Sequence, residues 1–233
     1  MPEDAKIGME LIEKALKLDP TYAIAHAHMA WGIEICVRVS GDADPLVGVR
    51  HARLALTYGG DDATALGHAG FVMMFLGHDF DAASGAIVRA LSLNGSCASA
   101  LYWGALIHGY GGESAIAEDY ANRALRLSPF DPMSYCAYLA LGVVRYRQRC
   151  YDDAAALFAK GEQANPRFNS LYYRHAVALV LAGRIDEAKV VARRLLELQP
   201  GFRIQRVISF LRFALPDVVA GVAEALRKAG LPE

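Results

Sequence analysis

The sequence predicts an all-α protein of stacked antiparallel helix pairs, and three observations predict it. The first is a period. The phrases "ALKLDP", "ALTYGG", "ALSLNG", "ALRLSP", "EQANP" and "LELQP" close at Pro20, Gly60, Gly95, Pro129, Pro166 and Pro200, separated by 40, 35, 34, 37 and 34 residues. A unit of 34 with small insertions fits every interval. The second is a set of small-residue columns. Twelve residues before each closing position stand Gly8, Gly48, Ala83, Ala117, Ala154 and Ala188, and five before it stand Ala15, Ala55, Ala90, Ala124, Gly161 and Leu195. A third column, Ala30, Gly70, Ala105, Gly142 and Ala176, falls earlier in each unit. Small side chains at a fixed interval are what two helices need to approach closely, with large apolar residues filling the positions between at helical spacing. The third observation is negative: no stretch alternates apolar and polar residues as a half-buried strand does.

Taken in order, residues 1–20 predict one helix over Asp4–Leu18 that reads as the second member of a pair. Its first member would lie before Met1, or the helix stands alone as an N-terminal cap; both readings are open. Residues 21–200 predict five hairpins. "GDADPL" offers Asp44 as an N-cap and Pro45 at the first helical position, and "SPFDP" offers Asp131 and Pro132 in the same way. "LAGRIDEA" has a glycine suited to a left-handed C-cap followed by an acidic first turn, and "GHDFDAA" repeats this with one extra residue. "YGGDD" (58–62) is punctuation: the glycines end one helix and Asp61 or Asp62 caps the next. It is similar to the Gly-Gly-(Asp/Glu)-Glu-Phe turn of diguanylate cyclases, but that chemistry requires a hairpin at a sheet edge. Residues 201–233 depart from the columns and predict two capping helices divided at Pro216.

Composition narrows the function classes. Hydrophobic residues make up 54% and charged residues 21%, which argues against disorder. With 24 basic and 25 acidic side chains there is no global attraction to nucleic acid or anionic lipid. The balance hides a gradient: residues 1–119 hold 7 basic and 15 acidic groups, residues 120–233 hold 17 and 10. The uncharged run Ala90–Gly112 carries "LNGSCAS" and "GYGG", so it predicts a helix-turn-helix rather than a membrane span. Cys36, Cys97, Cys136 and Cys150 sit in apolar surroundings without C-x-x-C spacing and predict buried free thiols in a reducing compartment. The acidic N-terminus lacks the layout of a secretory signal, and a cytoplasmic location is expected.

The columns, the period and the closing prolines resemble the tetratricopeptide repeat family over about residues 4–200. That resemblance implies a right-handed superhelical solenoid with a concave groove lined by the first helix of each hairpin. Gly60 and Gly95 in place of proline, Leu195 in a small column and a long connection at 37–45 depart from the family pattern. "SPFDP", "QANPRF" and "EALRKAGLPE" look like the C-terminal repeat regions of bacterial class III adenylate or guanylate cyclase-like proteins and of winged-helix regulators, which implies a signalling or regulatory setting. Carried over by phase, the groove positions are Trp31, Phe71, Met74, Phe75, Tyr102, Leu106, Tyr110, Val143, Tyr146, Arg147, Tyr173 and Val177. An apolar, aromatic groove of this kind implies a protein or peptide partner, or another domain of the same protein, unless neighbouring helices or the C-terminal segment cover it. The Lys and Asn pattern with which family members clamp a C-terminal carboxylate is missing.

Nothing in the sequence points to catalysis. His26 and His28 are two apart and diverge on a helix, and His26, His68, His78 and His108 have no carboxylate or cysteine at ligand spacing. No phosphate-cradling loop, nucleophile elbow or H-E-x-x-H string is present. Arg145, Arg147 and Arg149 end a helix, where cations complement its dipole. The expectation is a noncatalytic interaction module with no cofactor and no metal. The alternative is a self-assembly module whose oppositely charged ends bring copies together as homo-oligomers.

Overall fold

A computed structural model of the chain describes residues 2–128, 130–211 and 216–233. All regular structure among them is helical: α1 (Pro2–Leu18), α2 (Ala23–Val39), α3 (Pro45–Tyr58), α4 (Ala63–Phe75), α5 (Phe80–Leu93), α6 (Ala98–Gly111), α7 (Ser114–Leu127), α8 (Ser134–Arg147), α9 (Tyr151–Ala164), α10 (Asn169–Leu181), α11 (Ile185–Leu198), α12 (Ile204–Phe210) and α13 (Pro216–Lys228). The chain divides into two compact units, Met1–Ser128 and Pro129–Glu233. The closing residue Pro129 lies outside the described residues.

In the first unit α1 packs on α2, and the hairpins α2–α3, α4–α5 and α6–α7 follow in chain order. Successive first helices touch, α2 with α4 and α4 with α6, and each second helix also meets the next first helix. In the second unit α8–α9 and α10–α11 form the same hairpins, α9 packs on α10, and α13 folds back onto α10 with α12 beside it. The Ile204 amide donates to the Pro232 carbonyl at 2.9 Å, tying the end of the chain to the start of α12.

The small columns explain this packing. Gly48, Ala83, Ala117, Ala154 and Ala188 are buried, as are Ala55, Ala90, Ala124, Gly161 and Leu195. The first-helix column Ala30, Gly70, Ala105, Gly142 and Ala176 is buried throughout. At Gly142 a Cβ would stand 2.4 Å from the Phe158 ring of α9, so the glycine is required by close approach. Because first helices touch neighbours on several sides, α4 is buried from Ala65 to Phe75 and α6 from Ala100 to Gly109. Second helices bury one stripe and leave the opposite face to solvent.

Caps set the helix starts. The Asp44 carboxylate accepts from the Leu46 amide at 2.9 Å, with Pro45 opening α3. Asp62 accepts from the Thr64 and Ala65 amides at 2.9 and 3.0 Å, so in "YGGDD" the second aspartate is the cap. Gly59 ends α3 without a left-handed φ; a Cβ there would meet the Ala55 carbonyl at 2.7 Å. Three local expectations are corrected. Gly183 takes the left-handed position with φ 81°, but in "GHDFDAA" the extra residue hands that position to His78, φ 53°. Asp131 forms a turn with the Met133 amide at 2.8 Å, and α8 begins later, at Ser134. Cys36, Cys97 and Cys136 are buried free thiols, whereas Cys150 is exposed at the N-cap of α9, where the chain turns through Arg149 at φ 62°.

Candidate functional site

The first helices of the first unit bring seven of the expected groove residues together, and they do so by burying most of them. Phe71, Met74, Phe75, Tyr102 and Leu106 are buried, while Trp31 and Tyr110 are half-buried. The expectation of an open aromatic groove is corrected for the buried five, because the rings fill the row with one another. Phe71 lies 4.3 Å from Trp103 and 4.8 Å from Phe75, and Phe75 meets Tyr110 edge-on at 5.3 Å, centroid to centroid. Such offset and edge-to-face pairs hold rings in place beyond the area they bury. At the margins of the row Trp31 and Tyr110 keep accessible surface, beside a base of packed rings.

Trp103 is the residue that phase alone missed. It is 2% exposed and touches Trp31 at 5.7 Å and His68 at 5.5 Å. His28 and His68 complete the group, 4.8 Å apart. A signal for it is present in the sequence: His28, His68 and Trp103 each stand two residues before the small column of their helix, at Ala30, Gly70 and Ala105. Successive first helices thus line up one column of flat rings, each meeting the next edge-on. Among the described residues the buried Trp103 Nε1–H has no hydrogen-bond partner.

Charge in this region is restrained by burial. His68 is pushed down to about 4, since desolvation outweighs its hydrogen bond to the Thr64 carbonyl at 2.9 Å. His28 is lowered for the same reason, against the pull of Asp62. Both imidazoles are neutral at pH 7, and His68, with its Nδ1–H donated to Thr64, keeps its lone pair on Nε2. His26 takes another route: its Nε2–H donates to the Pro20 carbonyl at 3.0 Å, and its Nδ1 accepts from His51 Nδ1–H at 2.9 Å. On the same helix Glu34 is fully buried and bound by Arg38 Nε at 2.7 Å. Removing one partner of such a pair would leave a buried charge unmatched, which is the costly change.

In the second unit, Tyr173, Val143 and Val177 are buried, Tyr146 is half-buried and Arg147 is exposed. Tyr173 lies under the Arg174 guanidinium, 4.3 Å from its ring centroid, and near Phe202 at 6.3 Å. Tyr146 meets Tyr151 edge-on at 5.8 Å. Here too the buried residues are scaffold, and Tyr146 and Arg147 keep accessible surface.

Among the described residues, no group of three or more His, Cys, Asp or Glu is arranged to hold a metal ion. His108 is bound to Glu113 and enclosed by Phe80 and Tyr120, a structural contact between α6 and the start of α7. No helix of the described residues is long and apolar enough to cross a membrane; Ala90–Gly112 holds the end of α5, a turn and α6.

Residues 170–202 match the tetratricopeptide repeat family model. No curated protein sequence matches the chain. Among solved structures, human IFIT1, determined as a dimer with PPP-AAAA, is similar with a TM-score of 0.72 at 15% identity, over 98% of this chain and 55% of that one. The Cut9 and Hcn1 hetero-tetramer of APC/C matches at 0.68 and 13% identity, over 97% of this chain and 40% of that one. PilF of Pseudomonas aeruginosa matches at 0.53 and 21% identity, over 90% and 89%. The chain thus spans about half the length of the IFIT1 chain and less of the APC/C chain. At these identities the likeness shows the fold alone: an all-helical solenoid of the tetratricopeptide type.

Proposed function

We propose that the protein is a noncatalytic, cytoplasmic interaction module of a bacterial signalling or regulatory system, taking a peptide, a helix or a neighbouring domain against its first helices. In the first unit the partner meets Trp31 and Tyr110, and the buried Phe71, Met74, Phe75, Tyr102 and Leu106 form the base that holds them. In the second unit it meets Tyr146 and Arg147, with the buried Tyr173 as scaffold. One observation carries the reading: the half-buried Trp31 and Tyr110 border a base of interlocked buried rings in a fold whose repeats serve protein–protein recognition. Aromatic margins on a preorganised base contribute much binding energy, since little side-chain freedom is lost. The signalling setting, with a cyclase-like or winged-helix segment elsewhere in the same protein, rests on the "SPFDP", "QANPRF" and "EALRKAGLPE" resemblance.

The test is a random peptide library selected on the wild-type chain. Selected peptides should lose at least ~10-fold in affinity on Trp31→Ala with Tyr110→Ala, at unchanged helicity by circular dichroism. Equal affinity for the variant rejects the reading.

A second reading, assembly of copies through opposite charge, is favoured by the division of charge between the compact units. Met1–Ser128 holds 9 basic and 15 acidic side chains, and Pro129–Glu233 holds 15 and 10. Association of that origin weakens as salt is raised and is open-ended rather than closed at two copies.

A further inference from the structure

Six second helices carry the paired small columns, and in five of them both columns are buried, from Gly48 and Ala55 on α3 to Ala188 and Leu195 on α11. Each of those helices packs on the first helix of its own hairpin. On α1 the same columns are Gly8 and Ala15, and both are only half-buried. Among the described residues, no atom beyond the adjoining backbone of α1 itself lies within 4 Å of the position a Gly8 Cβ would take. Beside them Ile7, Leu11 and Leu18 are 60%, 61% and 89% exposed, although the opposite side of α1 is engaged, Met9 pressing on Gly32 of α2. A surface built to receive a helix at close range is uncovered among the described residues.

The face also says which helix fits it. Ile7, Leu11, Lys14 and Leu18 follow at intervals of four, three and four, the spacing of a two-helix seam. Along that seam charge changes sign: the exposed acids Asp4 and Glu10 lie toward its start, the exposed bases Lys14 and Lys17 toward its end. Laid against its own image in the same direction, the face sets Glu10 against Glu10 and Lys17 against Lys17. Laid in the reverse direction, it sets acid against base and opposes the two helix dipoles favourably. The antiparallel sense is also the one in which the other copies of these columns are used within the chain.

We propose that α1 is a homodimer contact, with two copies packed antiparallel about a two-fold axis near Ile12 and Glu13. Ile7 of each copy meets Leu18 of the other, Leu11 packs on the aliphatic stem of Lys14, and Glu10 stands opposite Lys17. Gly8 and Ala15 let the backbones approach. The contact is isologous, so it closes at two copies. A single helix pair is smaller than the roughly 1,200–2,000 Å² of a stable interface, so the association is a weak one. This goes beyond the peptide-binding reading and uses none of its residues.

The experiment is sedimentation velocity on the 233-residue chain from about 1 to 200 µM, at low salt and at about 0.5 M salt. The expected result is a monomer–dimer equilibrium that persists at high salt because the seam is apolar. Leu11→Glu with Leu18→Glu should remain monomeric across the range at unchanged helicity; both residues are exposed, so the fold tolerates the change. Glu10→Lys should weaken the dimer about 3- to 10-fold, and adding Lys17→Glu should restore it. A wild-type chain monomeric at the highest concentration overturns the proposal. So does a dimer indifferent to the Leu11 and Leu18 changes, or assembly that continues past two copies. Failure of the charge-swapped pair to restore association overturns the antiparallel register.

Discussion

First and second helices come from the same repeat, yet their side chains live in different surroundings. α4 and α6 are buried on every side over most of their length. α5 and α7 bury Ala83, Ala86, Ile87 and Ala90 or Ala117, Ala121 and Ala124, and leave residues such as Val88, 58% exposed, to solvent. The difference teaches that this fold has an interior made of whole helices and an exterior made of helix faces. Burial is concentrated in the first helices, and exposed surface in the second.

The sharpest way to break that contrast is to truncate one residue of each kind. Tyr102→Ala, at a position 1% exposed, should lower unfolding free energy by about 3–5 kcal/mol, and Val88→Ala should stay within about 0.5 kcal/mol. Urea melts followed by circular dichroism measure both; similar values for the two would end the distinction. Acid should probe the same interior. His68 sits near 4 in the folded protein against its ordinary 6.5, so the unfolded chain binds a proton first. Stability is then full above pH 6.5, declines as pH falls through the window from 6.5 to 4, and has lost roughly 3 kcal/mol at its lower end. Thermal melts of wild type and His68→Gln at pH 7 and 4.5 should diverge, the variant showing the shallower fall. A parallel fall places the acid sensitivity elsewhere.

Glycine gives the smallest and cleanest version of the comparison. Gly142→Ala drives a methyl into the Phe158 ring and should destabilise by about 1–3 kcal/mol. Gly8→Ala, with open space around it, should stabilise α1 by about 0.5–1 kcal/mol through helix propensity. Opposite signs for one substitution, at a covered and at an uncovered small residue, test whether coverage decides the outcome.

These contrasts also explain which parts of the protein were legible in the sequence. Columns such as Ala83, Ala117 and Ala154 and caps such as Asp44 and Asp62 are short-range demands, met by particular residue types at fixed spacing, so hairpins and their limits could be read. The loop "GHDFDAA" was misread because one inserted residue shifts which backbone position turns left-handed, and His78 fell there. Depth was harder. Periodicity says which way Phe71 and Tyr102 point, not whether a ring from the next helix occupies the space in front of them. That depends on the sizes of neighbours more than thirty residues away, Trp103 above all, and only matching columns across repeats would have revealed it.

Cys150 has a practical consequence. Three of the four thiols are shielded, and this one stands on a helix-leading bend in water. Maleimide chemistry on the unmodified polypeptide should therefore attach a single fluorophore or spin label at a known place. Association and ligand uptake can then be followed without engineering the other sulfurs away.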